Sequence, residues 1–310
     1  MKFALVFPGQ GSQSLGMMNA YGDHPTVRHT FDEASAALGR DLWQLVSEGP
    51  AEALSQTVNT QPLMLTAGIA VFRLWQARGG KMPAVVAGHS LGEYAALVAA
   101  GVIAFADAVP LVELRARAMQ EAVPVGDGAM AAILGLDSGI VKAVCADCAQ
   151  GQVAEAVNFN TPEQTVIAGH VAAVHRAIEA AKSRGAKRAV LLPVSAPFHC
   201  TLMKPAAERL RGRIGEIELA PPRIPVINNV DAAAPVDADA IRDALVRQAA
   251  SPVRWVETMR AMAAMGVCQV FECGPGKVLA GLVKRCADGV GGAAMADLAG
   301  VEAALEMTNG

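Results

Sequence analysis

The sequence lacks any excess of positive charge. It carries 26 Lys and Arg against 29 Asp and Glu, a formal net charge of -3, so it has no basic field with which to neutralise a phosphate backbone, and nucleic acid is excluded as a partner. Long hydrophobic runs are missing too. The longest apolar stretch, Ala95 to Ala106, stops at Asp107 and Pro110, well short of the roughly 20 apolar residues that cross a bilayer; no membrane partner is expected. The first residues, Met1 to Phe7, lead straight into Pro8-Gly9-Gln10-Gly11, with no room for the apolar segment and cleavage site of a secretory signal.

Cysteine is sparse for a disulfide scaffold. Six residues (145, 148, 200, 268, 273 and 286) are scattered over 310 positions, and Cys145-Ala146-Asp147-Cys148 has neither a second pair nor a nearby His to complete a zinc site. Internal repeats and low-complexity segments are absent. These absences together predict a cytoplasmic protein that needs no metal and no cofactor. What remains is a chain 53% hydrophobic and only 18% charged, which suits one large compact domain or a large domain with an insert.

The chain is organised around Ala84-Val85-Val86-Ala87-Gly88-His89-Ser90-Leu91-Gly92-Glu93, where a short β-branched run meets Gly-x-Ser-x-Gly and an Ala/Leu-rich helical segment follows. This is the strand, nucleophile elbow, helix pattern. The glycines let backbone pass close to a strained turn, Ser90 projects its hydroxyl clear of the sheet, and the Leu91 amide faces the same space from a helix start. An ordinary Gly-rich turn has the same local signature, so the flanking elements carry the reading.

In chain order, Phe3–Phe7 is a first strand and Pro8 to Gln13 a Gly-rich loop that offers Gln10 as a candidate hydrogen-bond donor. Helices are predicted over 27–38, 42–46, 51–54, 62–78, 92–100 and 106–122, with Pro62 at a first helical position. After Pro124-Val125-Gly126-Asp127-Gly128 the pattern changes: strand, helix, strand, strand, helix, strand within about 65 residues, the ferredoxin-like βαββαβ order. The predicted architecture is α/β: a large α/β-hydrolase-like domain with a parallel sheet (1–126 and 196–310) and an inserted smaller ferredoxin-like domain (127–195). Helices at 201–217, 238–248, 253–265 and 278–285 and strands at 224–228 and 269–273 complete the large domain. The Gly/Ala-rich tail from Gly289 is expected to be mobile at its very end. Gly274-Pro275-Gly276-Lys277 lacks the length and the hydroxyl of a phosphate loop and reads as a structural turn.

A serine nucleophile needs a base. Of six histidines, His199 stands out, because Ser195-Ala196-Pro197-Phe198-His199-Cys200 follows a predicted strand at the seam where the chain re-enters the large domain and can reach across a cleft. More than a hundred residues follow His199, unlike the late His of ordinary α/β-hydrolases, and no carboxylate presents itself as a third member, so a Ser-His dyad is expected. Arg115 and Arg117 lie on a mostly apolar helix. Two positions apart they point to different faces, so one can face inward, and a buried guanidinium without a protein carboxylate is a natural holder of a ligand carboxylate. Two solvated or Glu-paired arginines fit the same spacing.

Phe7-Pro8-Gly9-Gln10-Gly11-Ser12-Gln13, Thr60-Gln61-Pro62, Gly88-His89-Ser90-Leu91-Gly92-Glu93, Val157-Asn158-Phe159-Asn160, Phe198-His199 and Glu272-Cys273-Gly274-Pro275-Gly276-Lys277 together resemble the bacterial malonyl-CoA:acyl carrier protein transacylases of type II fatty acid synthesis, nearly end to end and in order. The resemblance implies malonyl-CoA and holo acyl carrier protein as partners and an acyltransferase using a malonyl-serine intermediate. On matching positions it implies Ser90 as nucleophile, His199 as base, and the Gln248 main-chain carbonyl as the group orienting the His. It further implies the amides of Gln10 and Leu91 as oxyanion hole, and Arg115 as the malonyl carboxylate holder. Phe198 departs from a Ser found in some relatives and resembles the malonyl-selecting form of related synthase domains. A malonate decarboxylase-type malonyl transacylase and a serine thioesterase or esterase share the chemistry and stay open as alternatives. Lys182, Arg184, Lys187 and Arg188 are candidate contacts for an acidic carrier protein.

Overall fold

A computed structural model describes all 310 residues. Nine strands form two sheets: β1 (Phe3–Phe7), β2 (Val85–Gly88), β3 (Gly128–Leu134), β4 (Ala154–Thr161), β5 (Gln164–His170), β6 (Arg188–Leu191), β7 (Val226–Ile227), β8 (Gln269–Glu272) and β9 (Gly291–Ala294). The first sheet is parallel throughout, in the order β7-β2-β1-β8-β9, and the second is antiparallel, in the order β4-β5-β3-β6.

The parallel sheet is covered on both faces, which is why its strands read as unbroken apolar runs rather than alternating ones. In β1 the period of two sends Phe3, Leu5 and Phe7 into one core, with Val86, Phe271 and the buried helix Thr57–Ala77. Ala4 and Val6 go into the opposite core, with Val85, Ala87, Val270 and Trp255. In the antiparallel sheet, Ala131, Ile133 and Ile167 pack under the helices Ser138–Ala149 and Val171–Ser183. The other face of that sheet turns Met130, Val166 and Ala168 toward Met119, Phe198 and Met203. Those apolar contacts make a seam between the two sheets, and β4 is tied across it by Val253, whose N–H donates to Val157 O and whose carbonyl accepts from Phe159 N–H.

The structure departs from the sequence reading in three places. The long helix starts at Thr57, five residues before Pro62. Pro62 has no N–H to offer Val58, and the carbonyl so freed accepts from Arg40 Nη2 at 3.4 Å, which removes most of the objection to a proline inside a helix. Val253 belongs to the seam rather than to a helix, which begins at Trp255. His170 closes β5 and caps the next helix, and its ring Nδ1 accepts from Val153 N–H. The tail adds two elements: β9 extends the parallel sheet, and the helix Leu298–Asn309, capped by Asp297, buries Val301 and Ala304. Gly292 sits where a Cβ would stand 2.4 Å from Ala280 O, so close packing is the reason for glycine there.

Candidate active site

The carboxyl ends of β1, β2 and β8 carry the loops that meet at the candidate site, the usual place for ligands on an open parallel sheet. Ser90 follows β2 and has φ 54, a left-handed conformation that few non-glycine residues adopt. A Cβ at Gly88 would lie 1.8 Å from Gly92 C, and one at Gly92 would lie 2.0 Å from Phe7 O; both elbow glycines are dictated by backbone contact. Buried Asn229, just past β7, pins the turn. Its Oδ1 accepts from Ser90 N–H at 2.7 Å and its Nδ2 donates to Gly88 O at 2.7 Å, so the strained peptide keeps no orphan donor.

His199 also has a positive φ, 67, and is buried. Its Nε2 stands 2.7 Å from Ser90 Oγ, and its Nδ1 stands 3.0 Å from Gln248 O. A carbonyl can only accept, so Nδ1 carries the proton and Nε2 presents its lone pair to the serine hydroxyl. Burial, followed by the nearby Arg115 charge, pushes the imidazole down to about 3. The ring is therefore a neutral acceptor with no carboxylate behind it.

Arg115, on the helix Phe105–Glu121, is 1% exposed. Its Nη1 donates to Gln61 Oε1 at 2.8 Å, and its Nη2 donates to Gln248 Oε1 at 3.0 Å and to Ser90 Oγ at 3.1 Å. The guanidinium lies over the Tyr94 ring, 5.4 Å from its centroid. It forms no salt bridge, whereas Arg117 is solvent-facing and pairs with Glu113 at 3.8 Å. A buried cation surrounded by neutral acceptors keeps the capacity to take a carboxylate.

The main-chain N–H groups of Gln10 and Leu91 donate to no other group of the chain. Both residues line one cavity of about 120 Å³ with Ser90, Arg115, His199 and Met119. Gln10 is held there by a donation from its Nε2 to Thr57 Oγ1 at 3.2 Å, while Gly274 lies against Pro8 and Gly276 against Ser12, so the β8 turn supports the β1 loop. A larger cleft of about 490 Å³, around Phe72 and Arg73, shares none of these groups. No three His, Cys, Asp or Glu side chains gather as a metal-binding group.

The structure thus brings Ser90, His199, Arg115, Gln10, Leu91 and Gln248 together. Lys182 and Arg184 are exposed and paired with Glu179 and Asp147. His89 turns away, with Nε2 2.8 Å from Asn160 Oδ1 and its ring against Trp255. Sequence reasoning missed Asn229, the side chain of Gln248, and Glu93. Glu93 is 2% exposed, and burial raises its carboxyl to about 7 despite two hydrogen-bond donors. A Glu placed next to the elbow among apolar helix residues was the only available signal; for Asn229, in an ordinary-looking Asn-Asn pair, there was none.

The sequence profile of the acyl transferase domain family matches residues 4–303. The malonyl CoA-acyl carrier protein transacylase of Escherichia coli is 56% identical over 307 residues, covering 99% of each chain. The crystal structure of an acyl-carrier-protein S-malonyltransferase from Burkholderia pseudomallei superposes with a TM-score of 0.97 at 59% identity, covering 99% of this chain and 100% of that one. A malonyl-transacylase solved in complex with a type II polyketide acyl-carrier protein superposes with a TM-score of 0.97 at 53% identity, covering 99% and 100%.

Proposed function

We propose a mechanism for this chain from the premise that it belongs to the acyl transferase family and, within it, to the malonyl CoA-acyl carrier protein transacylases. It is an acyltransferase of fatty acid biosynthesis that moves malonyl from malonyl-CoA to the phosphopantetheine thiol of acyl carrier protein. In our reading Ser90 Oγ attacks the malonyl thioester while His199 Nε2 takes its proton. The tetrahedral oxyanion sits between the Gln10 and Leu91 amides, and the His199 proton goes to the departing CoA thiolate. The same steps in reverse order of thiols deliver malonyl to the carrier. Gln248 O keeps the imidazole oriented and Arg115 holds the free malonyl carboxylate.

The observation that carries this reading is that Ser90 Oγ lies within hydrogen-bond reach of both His199 Nε2 (2.7 Å) and Arg115 Nη2 (3.1 Å). A base and a carboxylate holder on one nucleophile favour an acyl group that bears a free acid. The test is the intact mass of the protein after malonyl-CoA and again after holo carrier protein. We expect one malonyl adduct that the carrier removes, and none on Ser90→Ala; an adduct on that variant refutes the assignment.

The finer architecture is our reading as well. Residues 127–195 are an inserted ferredoxin-like unit and residues 1–126 with 196–310 an α/β-hydrolase-like domain; the sheet order β4-β5-β3-β6 supports the first, since it is the ferredoxin-like order of a βαββαβ chain. A cytoplasmic location is supported by six unpaired cysteines, and the chemistry above uses only the chain's own groups.

A further inference from the structure

Beneath the dyad, the Gln248 side chain and Glu93 form a buried polar cluster with Arg115 in which neither of the first two has a role in the mechanism above. The Gln248 side chain is completely buried and makes three hydrogen bonds: Nε2 donates to Ser90 O at 2.9 Å and to Glu93 Oε2 at 3.0 Å, and Oε1 accepts from Arg115 Nη2 at 3.0 Å. The orientation of an amide follows from its partners. Here two acceptors on one side and a guanidinium on the other allow a single orientation, because a flipped amide would set NH2 against Arg115 and oxygen against a carboxylate. Of the two acceptors only Glu93 is a side chain, and the same oxygen accepts from Asn229 N–H at 2.8 Å, which anchors it to the residue that pins the elbow. Arg115 Nε has no partner in the chain, so the aim of the guanidinium depends on what its two Nη groups find.

We propose that Glu93 is a positioning residue for acyl selection, which holds the Gln248 amide with its oxygen toward Arg115 and so aims the guanidinium into the acyl pocket. Glu93 touches neither Ser90 Oγ nor His199, and His199 is oriented by the Gln248 main chain rather than by its side chain. Loss of Glu93 therefore acts on the discrimination between carboxylated and plain acyl groups more than on serine acylation as such. The inference rests on the reading of Arg115 as the carboxylate holder.

The experiment measures kcat/KM with malonyl-CoA and with acetyl-CoA, and reads their ratio. Glu93→Ala removes the acceptor and is expected to lower the ratio about 10- to 100-fold, the range set by leaving one buried donor without its partner. Glu93→Gln keeps an accepting oxygen at the same reach and stays within about 3-fold of wild type on the same scale. Glu93→Asp keeps the carboxyl group, draws it back by a methylene, and falls between them. Equal losses with both acyl donors, or Gln as poor as Ala, overturn the proposal. If the Ala variant fails to fold, Asp and Gln decide: a lower ratio in Asp supports it and equal ratios overturn it. In an Arg115→Ala background Glu93→Ala should not lower the ratio further. An unchanged ratio in Arg115→Ala alone refutes the carboxylate-holder reading itself, whereas a fall there with no effect of Glu93→Ala refutes only the positioning role.

Discussion

Arg115→Ala is the most direct perturbation of acyl-group choice. In the structure the guanidinium is 1% exposed and satisfied only by neutral oxygens, Gln61 Oε1, Gln248 Oε1 and Ser90 Oγ, at 2.8, 3.0 and 3.1 Å. A malonyl carboxylate would replace neutral acceptors with a charged one in a dry site, where breaking such a pair by deleting one partner costs about 3–5 kcal/mol. At about 1.36 kcal/mol per tenfold, kcat/KM for malonyl-CoA should fall roughly 100- to 5,000-fold. Acetyl-CoA offers no carboxylate, so the wild-type cation is left with neutral acceptors when acetyl enters, and deletion does not incur that loss. It also frees Ser90 Oγ from a competing donor, so the acetyl reaction should hold or rise. The assay is initial-rate transfer from each acyl-CoA to holo carrier protein, with unfolding midpoints measured alongside. A malonyl-to-acetyl ratio that does not move in a folded variant would refute the reasoning, and so would equal losses for both.

Two pH experiments follow from the buried groups. His199 is held down to about 3 by burial and then by Arg115, so its ring should stay neutral as pH falls through 6.5. A ring-nitrogen chemical-shift titration checks this, and a midpoint between 6 and 7 refutes it. The sign for stability follows: between pH 6.5 and about 3 the unfolded chain binds the proton that the folded site refuses, and this group's contribution is lost as pH falls through that window. Glu272 is the opposite case. Burial raises it to about 7 although Oε2 accepts from Ala280 N–H at 2.8 Å; the folded state binds the extra proton between pH 4.5 and about 7, and stability from that source is lost as pH rises. Glu272→Gln, which cannot ionise, should therefore gain in unfolding midpoint relative to wild type as pH goes from 5 to 8. A difference independent of pH refutes this.

Much of the site was legible because its chemistry is local in the chain. The elbow needs Gly88 and Gly92 within one turn of Ser90, since a Cβ at either would strike backbone, and such steric demands survive in sequence as fixed spacing. The seam position of His199 was readable from the change in periodicity around it. The Gln248 side chain, Asn229 and Glu93 were not, because their value lies in hydrogen bonds spanning 133 to 158 residues of chain. Nothing near Asn229 in sequence distinguishes it from a loop asparagine. The start of the long helix was misread for a related reason: a proline inside a helix is tolerated when a distant arginine takes the freed carbonyl, and Arg40 is 18 residues from Val58.

By itself the sequence determined four of the five parallel-sheet strands, all but β9, the elbow that presents a serine hydroxyl, the absence of a basic field or a membrane-length run, and the family to which these motifs belong. These follow from steric and hydrophobic rules that act over a few residues. The resemblance implied Arg115, the Gln248 carbonyl and the Gln10 and Leu91 amides, but only the tertiary structure shows that Arg115 is buried without a carboxylate, that Gln248 O faces His199 Nδ1, and that those two amides have no partner in the chain. Those properties depend on burial and on directional hydrogen bonds between segments far apart in the chain, and they exist only once the two sheets have closed on their common seam.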